Sequence, residues 1–229
     1  MSDRRRGRRQ AVGDLKRSLI LAAARGVFEA EGLDGASLRA IAAAAGYTPA
    51  ALYFHFDSKE AIYAEVLRAS LSRLGEAVAG AMAATRTPDR RLQAAAMAFF
   101  GFYAENPGDL DLGFYLLRGG MKPRGLGRAR DEALNAALAA ALHPIAAAAV
   151  ELGASPAAAR MLMVDCFAHA AGLLLLAHTG RIRMFGASAE GLMHAYVEDR
   201  IARLGARPEV KTAARRAPNR EETPRRERR

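Results

Sequence analysis

The stretch from Ala36 to Ala61 constrains the fold most, because helix start and stop signals follow one another closely within it. Ser37 is a residue type that caps a helix N-terminus, since its hydroxyl accepts a free backbone N–H of the first turn. Gly46 suits the left-handed turn that separates two helices. Thr48 and Pro49 form a second start signal, a capping hydroxyl followed by a proline at the first helical position. The stretch therefore predicts two short helices joined by a tight turn.

The residues around this turn also predict a buried face and a third helix. Leu38, Ile41, Ala42 and Ala45 recur at helical spacing and mark the face that packs inward. The aromatic run Tyr53-Phe54-His55-Phe56 ends the second helix, and Asp57 with Glu60 fits a capping box that opens the next helix. Two short helices joined by a glycine turn have the geometry that places the second helix in a DNA major groove.

The second helix has the residue types that a DNA contact needs. Thr48 and the small residues after it let the backbone approach base edges, and Tyr53 and His55 add hydrogen-bonding groups one turn later. Lys59 follows in the first turn of the next helix, where free amide groups and an ammonium favour a phosphate. The structural alternative is a plain three-helix bundle without a ligand.

From about Asp14 to Leu67 the chain resembles the DNA-binding domain of the TetR/AcrR family of bacterial one-component regulators. The matching residues are Phe28-Glu29-Ala30-Glu31-Gly32, Ala45-Gly46, Leu52-Tyr53-Phe54-His55-Phe56 and Ser58-Lys59-Glu60. By position in the motif, the resemblance implies that the residues touching DNA are Arg39, Thr48, Pro49, Ala50, Ala51, Tyr53, His55 and Lys59. Because proline and two alanines leave few base-reading donors, Arg39, Tyr53 and apolar contact with thymine methyl groups are expected to carry specificity.

Beyond this motif the helical pattern continues and no strand-like alternation occurs. A long helix is predicted from Lys59 to about Ala84, so that it begins in the DNA-binding unit and packs elsewhere. The other predicted helices are a first one at 14–31 and later ones at 88–105, 109–118, 126–152 with a kink or split at Pro144, 155–179 and 188–204. The sequence thus predicts an all-α chain of about nine helices.

The excess positive charge lies at the two ends of the chain. The net charge is +10, and residues 1–17 hold seven Lys or Arg against two Asp, while residues 207–229 hold nine against four Glu. Basic segments attract polyanions and speed association with DNA. Residues 1–13 are predicted to be a disordered basic arm that contacts DNA, and residues 206–229 a disordered basic tail that keeps the neutral middle soluble.

The four regions predicted are therefore an arm at 1–13, a DNA-binding domain at 14–61, an effector-binding and dimerisation domain at 62–205, and a tail. The resemblance implies a homodimer joined through its last two long helices, an apolar pocket for a small-molecule effector, and double-stranded DNA with a pseudo-palindromic operator as partner. Aromatic and Met residues with one polar pair are the candidates for the pocket: Phe99, Phe100, Tyr103, Phe114, Tyr115, Met121, Met161, Asp165 and His169.

We predict a transcriptional regulator, and specifically a repressor that an apolar or amphipathic effector releases from DNA. A ligand-independent architectural DNA-binding protein is the first alternative. The second is an enzyme using Asp165 and His169, which lie four residues apart on one helix face. No cofactor or metal is predicted, because no further His or Cys stands at ligand spacing.

The remaining expectations concern the compartment. The chain has one cysteine, Cys166, which rules out an intrachain disulfide and fits a reducing cytoplasm. The charged residues Asp14, Lys16 and Arg17 interrupt the N-terminal pattern of a signal peptide, so export is not expected. No uninterrupted apolar run of spanning length occurs, so neither a membrane helix nor a membrane partner is predicted.

Overall fold

The computed structural model describes residues 2–114 and 125–205. Within these residues the chain is all-helical and contains no strand. The nine α-helices of the described part are α1 (Ser2–Gly35), α2 (Leu38–Ala45), α3 (Pro49–Tyr53), α4 (Lys59–Ala83), α5 (Pro88–Glu105), α6 (Pro107–Gly113), α7 (Arg128–Glu151), α8 (Pro156–His178) and α9 (Ala189–Gly205), with a short 3-10 turn at Ile182–Phe185. The predicted fold class is confirmed.

Local capping forms the α2–α3 unit as the sequence predicts. The Ser37 Oγ accepts the N–H of Ala40 at 3.1 Å, and Gly46 closes α2 in the left-handed region at φ +72°. The Thr48 hydroxyl accepts from the N–H of Ala51 at 3.3 Å, with Pro49 at the first helical position. These contacts satisfy backbone groups that would otherwise be unpaired at the helix ends.

The start of α4 differs from the prediction in its capping residue. Ser58, rather than Asp57, is the N-cap, and its Oγ accepts the N–H of Ala61 at 3.1 Å. Both residue types cap well, so composition alone did not distinguish neighbouring positions. The long helix itself is confirmed, since α4 runs over 25 residues.

The N-terminal segment is helical, and the predicted disorder of residues 1–13 is not what the structure shows. Helix α1 begins at Ser2, because the residues after it are mostly helix formers and extend a helix already nucleated by the buried stripe from Ile20 to Phe28. The described side chains before Gly13 are exposed. At the other end, Gly32 leaves helical geometry at φ +69°, which agrees with the predicted end of the first helix at Glu31.

Two further helices depart from the sequence prediction. Helix α6 runs from Pro107 to Gly113, whereas the sequence predicts a helix at 109–118. It therefore begins two residues earlier and ends five residues earlier than predicted. Residues 115–118 lie outside the described residues. Helix α7 continues through Pro144 without splitting. Ala140, whose carbonyl loses its donor to this proline, lies with Pro144 in an open cleft where water can replace the missing bond.

Helix α4 joins the two halves of the molecule. Its first half packs on α1, and further along it packs on α5 and α7, while α8 and α9 pack on the far side of α5 and α7. Its buried residues extend from Ile62 to Val78 and belong to a hydrophobic core that is continuous through both halves of the described residues. A displacement of either end of α4 is therefore transmitted to the other end.

Two helices have the length and apolar composition of a membrane-spanning segment, which the sequence analysis did not expect. They are α7 and α8, and 39% and 28% of their most apolar windows are buried in the fold. Helix α7 packs between α4, α5 and α8, whereas α8 leaves an apolar face exposed. Length and composition alone are weak support for a membrane segment, since core helices of soluble proteins share them.

Candidate nucleic-acid interface and apolar cavity

Helix α3 presents an exposed outer face at one end of the molecule. Thr48, Pro49 and Ala50 are exposed, and Ala51 is half-buried. Only Leu52 of this helix is fully buried, whereas the Tyr53 side chain is 60% exposed and Phe54 is 88% exposed. Large aromatic groups so exposed are unusual in a monomeric surface, and here they lie together with backbone that a duplex can approach.

Arg17 of α1 fixes the end of α3. Its Nη1 donates to the backbone carbonyl of His55 at 2.9 Å, and its Nη2 lies 2.7 Å from Glu65 of α4. The guanidinium also stacks over the Phe56 ring at 4.3 Å from the ring centroid. One side chain thus joins α1, the end of α3 and α4, and it holds the exposed helix at a fixed angle to its support.

Lys59 has a different role from the predicted phosphate contact. Its Nζ donates to three backbone carbonyls at the end of α1, those of Leu33 at 2.8 Å, Ala36 at 3.1 Å and Asp34 at 3.4 Å. A cation at a helix C-terminus is favourable, because unpaired carbonyls concentrate there. In this structure Lys59 therefore ties α4 to the end of α1, with its ammonium directed inward.

The other predicted DNA-contacting residues share one side of the molecule. Arg39 is exposed on α2, and His55 is half-buried at the end of α3. The sequence analysis missed Phe54, the most exposed of the large apolar side chains. It also missed Arg17 as a support. The aromatic run at 53–56 is a sequence signal for Phe54, but helical spacing alone does not show which ring of the run is exposed.

An apolar cavity of about 290 Å³ lies in the second half of the molecule, between α4, α5, α6, α7 and α8. Three of the predicted pocket residues line it: Phe99, Tyr103 and Phe114. Phe167 also lines it and contacts the Phe99 ring edge-on, with the ring centroids 5.9 Å apart. The other lining residues are Leu67, Leu71, Leu110, Gly113, Leu134, Asn135, Leu138, Ala171 and Leu174. Such an apolar lining with few polar groups is typical of a site for an apolar ligand.

Four of the predicted pocket residues do not line this cavity. Phe100 points to the opposite side of α5, and Met161 is 67% exposed on α8. Asp165 and His169 lie on the face of α8 toward α9 and do not line the cavity. Helical spacing predicts which helix carries these side chains, but it does not show which face of that helix lines the cavity. Tyr115 and Met121 lie outside the described residues.

The Asp165 and His169 side chains form part of a contact between α8 and α9. The His169 ring stacks on Tyr196 at 3.9 Å, and Arg200 lies over the same Tyr196 ring and 3.9 Å from the Asp165 carboxylate. Burial lowers the pKa of His169 and the charge of Arg200 lowers it further, whereas Asp165 opposes both effects. The described residues contain no group of three or more His, Cys, Asp or Glu placed to hold a metal ion.

Helix α6 connects the cavity to the DNA-binding half. Its Asp109 is 1% exposed and receives Arg25 of α1 at 2.8 Å and Arg73 of α4 at 2.6 Å. At the other end of α6, the carbonyl of Leu112 accepts the Tyr63 hydroxyl of α4 at 2.8 Å. Because α6 also contributes Leu110 and Gly113 to the cavity wall, a molecule in the cavity touches the element that holds α1 and α4.

Two groups near the cavity are kept neutral by burial. Burial raises the pKa of Tyr103 to about 12, and the charge of Asp109 acts in the same direction. Burial likewise raises the pKa of the Cys166 thiol to about 12, so this thiol is protonated and unreactive at neutral pH. Neither group adds a charge to the apolar lining.

The segment that contains α2 and α3 is similar to a known protein family. The family model for bacterial regulatory proteins of the tetR family matches residues 20–66, the segment that contains α2 and α3. Over these residues the chain is similar to regulators of the tetR family. The match agrees with the capped α2–α3 pair, which has the form of a helix-turn-helix unit. The match therefore covers the capped helices and the exposed α3, and it includes the three residues that Arg17 contacts, His55, Phe56 and Glu65, but not Arg17 itself.

A curated relative extends the likeness beyond the DNA-binding segment. Over 98 residues the chain is 39% identical to the HTH-type transcriptional activator FasR of Mycolicibacterium smegmatis, and the match covers 43% of this chain and 44% of that relative. The matched segment thus spans less than half of the relative's length.

Solved structures share the helical fold over about four fifths of the chain. A Rhodococcus sp. RHA1 protein of unknown function has a TM-score of 0.67 at 25% identity, with 83% of this chain and 95% of that chain covered. FadR of Bacillus subtilis, solved in complex with stearoyl-CoA, has a TM-score of 0.60 at 16% identity, with 82% and 97% covered. At such identities the likeness concerns the architecture, including the helical domain after α4.

Proposed function

We propose that this TetR-family chain is a homodimeric transcriptional regulator that represses by occupying a pseudo-palindromic operator and is released by an apolar or amphipathic effector. The observation that carries the proposal is the pairing of an exposed, braced α3 with an apolar cavity through helices α4 and α6. The proposal includes the domain division at residues 61 and 62, which α4 bridges, and a cytoplasmic location.

On the DNA side, we assign base and backbone contacts to the exposed face of α3. Thr48, Pro49 and Ala50 allow close approach, and Tyr53 and Arg39 supply donors. We add Phe54, whose exposed ring suits apolar contact with thymine methyl groups or sugars. Lys59 supports this surface through α1 rather than through a phosphate.

Helix α8 supports a two-fold dimer. Its exposed residues Met161, Val164, Ala168, Gly172 and Leu175 repeat at helical spacing and form one continuous stripe. An apolar stripe with small residues in its centre allows two helices to approach closely, and a two-fold axis makes the same surface serve both subunits. Such a dimer would present two α3 helices to successive half-sites about 34–36 Å apart.

On the effector side, the cavity is at the lower end of the roughly 300–1,000 Å³ range of ligand pockets. The FadR structure from Bacillus subtilis holds stearoyl-CoA, and by analogy we propose that a long apolar chain binds in this cavity. A ligand that binds better when α6 is displaced shifts α1 and α4 through Asp109 and Leu112. The two α3 helices of a dimer then lose the operator spacing.

Activation is a second candidate for the transcriptional outcome, because the relative FasR is named an activator. Repression and activation differ in the position of the operator relative to the promoter, and the same DNA-binding surface serves both. In vitro transcription from a promoter bearing the selected operator decides between them, since repression lowers and activation raises the transcript level when the protein is added.

The experiment that tests the proposal measures operator affinity and oligomeric state together. We expect Leu175→Glu to convert the dimer to a monomer in light scattering and to weaken operator binding more than tenfold. Val150→Glu is the matched control, because Val150 is exposed to a similar extent but lies on α7. A Leu175→Glu protein that remains dimeric and binds normally would contradict the dimer. An operator affinity that no acyl compound changes at any concentration would contradict effector control.

A further inference from the structure

A second cleft adjoins the apolar cavity and has the opposite character. It has a volume of about 330 Å³ and lies between the DNA-binding helices and α7. Leu134 of α7, which is 5% exposed, lines both the cavity and this cleft and stands between them. A ligand that displaces the Leu134 side chain and extends past it would therefore reach from the apolar cavity into the charged cleft.

The cleft carries an excess of positive charge. Arg17, Arg68 and Arg130 line it, against the carboxylates of Asp57 and Glu65. The guanidinium of Arg130 donates to the carbonyl of Leu126 at 3.2 Å rather than to a carboxylate of the described residues. Arg68 pairs with Glu65 at 3.1 Å but is 67% exposed, so an incoming anion competes with a weak surface pair.

The two spaces follow one another along the same pair of helices. On α4, Leu67 and Leu71 face the cavity and Ala64 and Arg68 face the cleft. On α7, Leu138 faces the cavity and Arg130 the cleft, about 12 Å nearer the start of the helix at 1.5 Å per residue. The cleft thus lies beyond Leu134 from the cavity, on the side where α3 ends.

Two other clefts share a wall residue with the cavity, and neither fits an anion as well. The cleft beyond Leu174 is lined by Glu105 and Glu190 with His178 and contains no Lys or Arg among its lining residues. The cleft beyond Leu71 contains Arg68 and Arg73, but Arg73 is already bound to the buried Asp109. The cleft beyond Leu134 is therefore the best match for a negative head group.

We propose that the effector is an amphipathic acyl compound whose chain fills the apolar cavity and whose anionic head group binds Arg68 and Arg130 in the cleft beyond Leu134. The proposal rests on the proposed function and specifies the ligand class and its orientation. It also adds a second way in which the effector changes DNA binding. The head group lies near Arg17, which donates a hydrogen bond to the His55 carbonyl at the end of α3. Competition for Glu65 or Arg17 loosens that brace.

The test compares three ligands with the same chain, dodecanoate, dodecanoyl-CoA and dodecanol, by calorimetric titration of the full-length protein. We expect both anions to bind about tenfold or more tightly than the neutral alcohol, since charge-assisted hydrogen bonds are the strong ones. The preference should shrink at high salt. A tighter dodecanoate indicates a carboxylate site, and a tighter dodecanoyl-CoA indicates a phosphate-bearing head group.

Variants locate the head group. In the Arg68→Gln and Arg130→Gln double variant the anion preference should fall to near unity while dodecanol binding is retained. Arg128→Gln, a fully solvated arginine on the same helix paired with Glu132, should keep the preference. Thermal melts of each protein confirm that it is folded, and retained dodecanol binding does so independently.

The outcomes separate this inference from the proposed function. Equal binding of the alcohol and the anions, a preference that survives in the double variant, or no binding of any of the three ligands would overturn the inference. Anion-selective binding that leaves operator affinity unchanged would support the head-group site and contradict effector control. Dodecanol that releases the operator as well as the anions do would support effector control and overturn the head-group site.

Discussion

The α2–α3 unit and the α6 junction are held by different kinds of contact. In the α2–α3 unit the capping bonds join residues three positions apart, as between Thr48 and Ala51. At the α6 junction, Asp109 binds Arg25 and Arg73 across 84 and 36 residues. The first unit forms from its own sequence, whereas the second exists only when three helices meet. We infer that the DNA-reading surface is a fixed shape and that the junction is the part that changes.

The largest expected effect tests the junction. Replacing Asp109 with Asn removes a buried carboxylate that satisfies two arginines, and breaking such a network should lower the free energy of unfolding by about 3 kcal/mol. Urea unfolding measures this change. Because α3 is capped locally, the folded variant should still bind operator DNA, but an effector should no longer release it. An Asp109→Asn protein that keeps its full free energy of unfolding but loses operator binding would contradict the distinction between a fixed α2–α3 unit and a changing junction.

The next effect tests the cavity. Ala171→Phe adds a ring to the apolar lining, so effector affinity should fall tenfold or more, about 1.4 kcal/mol, while the operator affinity of the empty protein remains. Calorimetric titration and fluorescence anisotropy measure the two affinities. Unchanged effector binding in a folded Ala171→Phe protein would place the ligand elsewhere.

A smaller effect tests the local caps. Thr48→Ala removes the bond to the Ala51 N–H and should cost about 1 kcal/mol of helix stability, with operator affinity reduced several-fold and effector affinity unchanged. Thr179→Ala is a suitable control, because its hydroxyl also bonds locally but lies at the end of α8. If operator affinity fell equally in the Thr48→Ala and Thr179→Ala variants, the α3 cap would have no specific effect on operator binding.

The smallest effect concerns the α8–α9 contact. Since burial lowers the pKa of His169 below its ordinary 6.5, the folded protein binds fewer protons there than the unfolded chain. Stability from this group is therefore present at neutral pH and decreases as pH falls through 6.5. His169→Gln should reduce the difference in melting temperature between about pH 7 and pH 5. An unchanged difference would show that another group causes it.

The same contrast explains which features the sequence predicts. Ser37, Gly46, Thr48 and Pro49 act on their own neighbours, so the caps, the turn and the long α4 were predictable from spacing alone. The inward direction of Lys59 was not, because its carbonyl partners lie more than twenty residues away.

The candidate sites divide in the same way. Phe99 and Tyr103 line the cavity, because they lie on the buried stripe of one helix. Asp165 and His169 were assigned to it from their spacing on α8, yet they face α9. Which face of a helix meets a cavity depends on neighbouring helices that are distant in sequence. The Asp109 network was missed for the same reason.

The central claim is that α3 lies along exposed base edges as one of two symmetric copies. Selection of bound DNA from a random pool by the full-length protein tests it most directly. We predict enrichment of a pseudo-palindrome whose half-sites are separated by about one helical turn or a multiple of it, with loss of enrichment in Leu175→Glu. Enrichment of a single unrepeated site, or of no sequence at all, would contradict the claim.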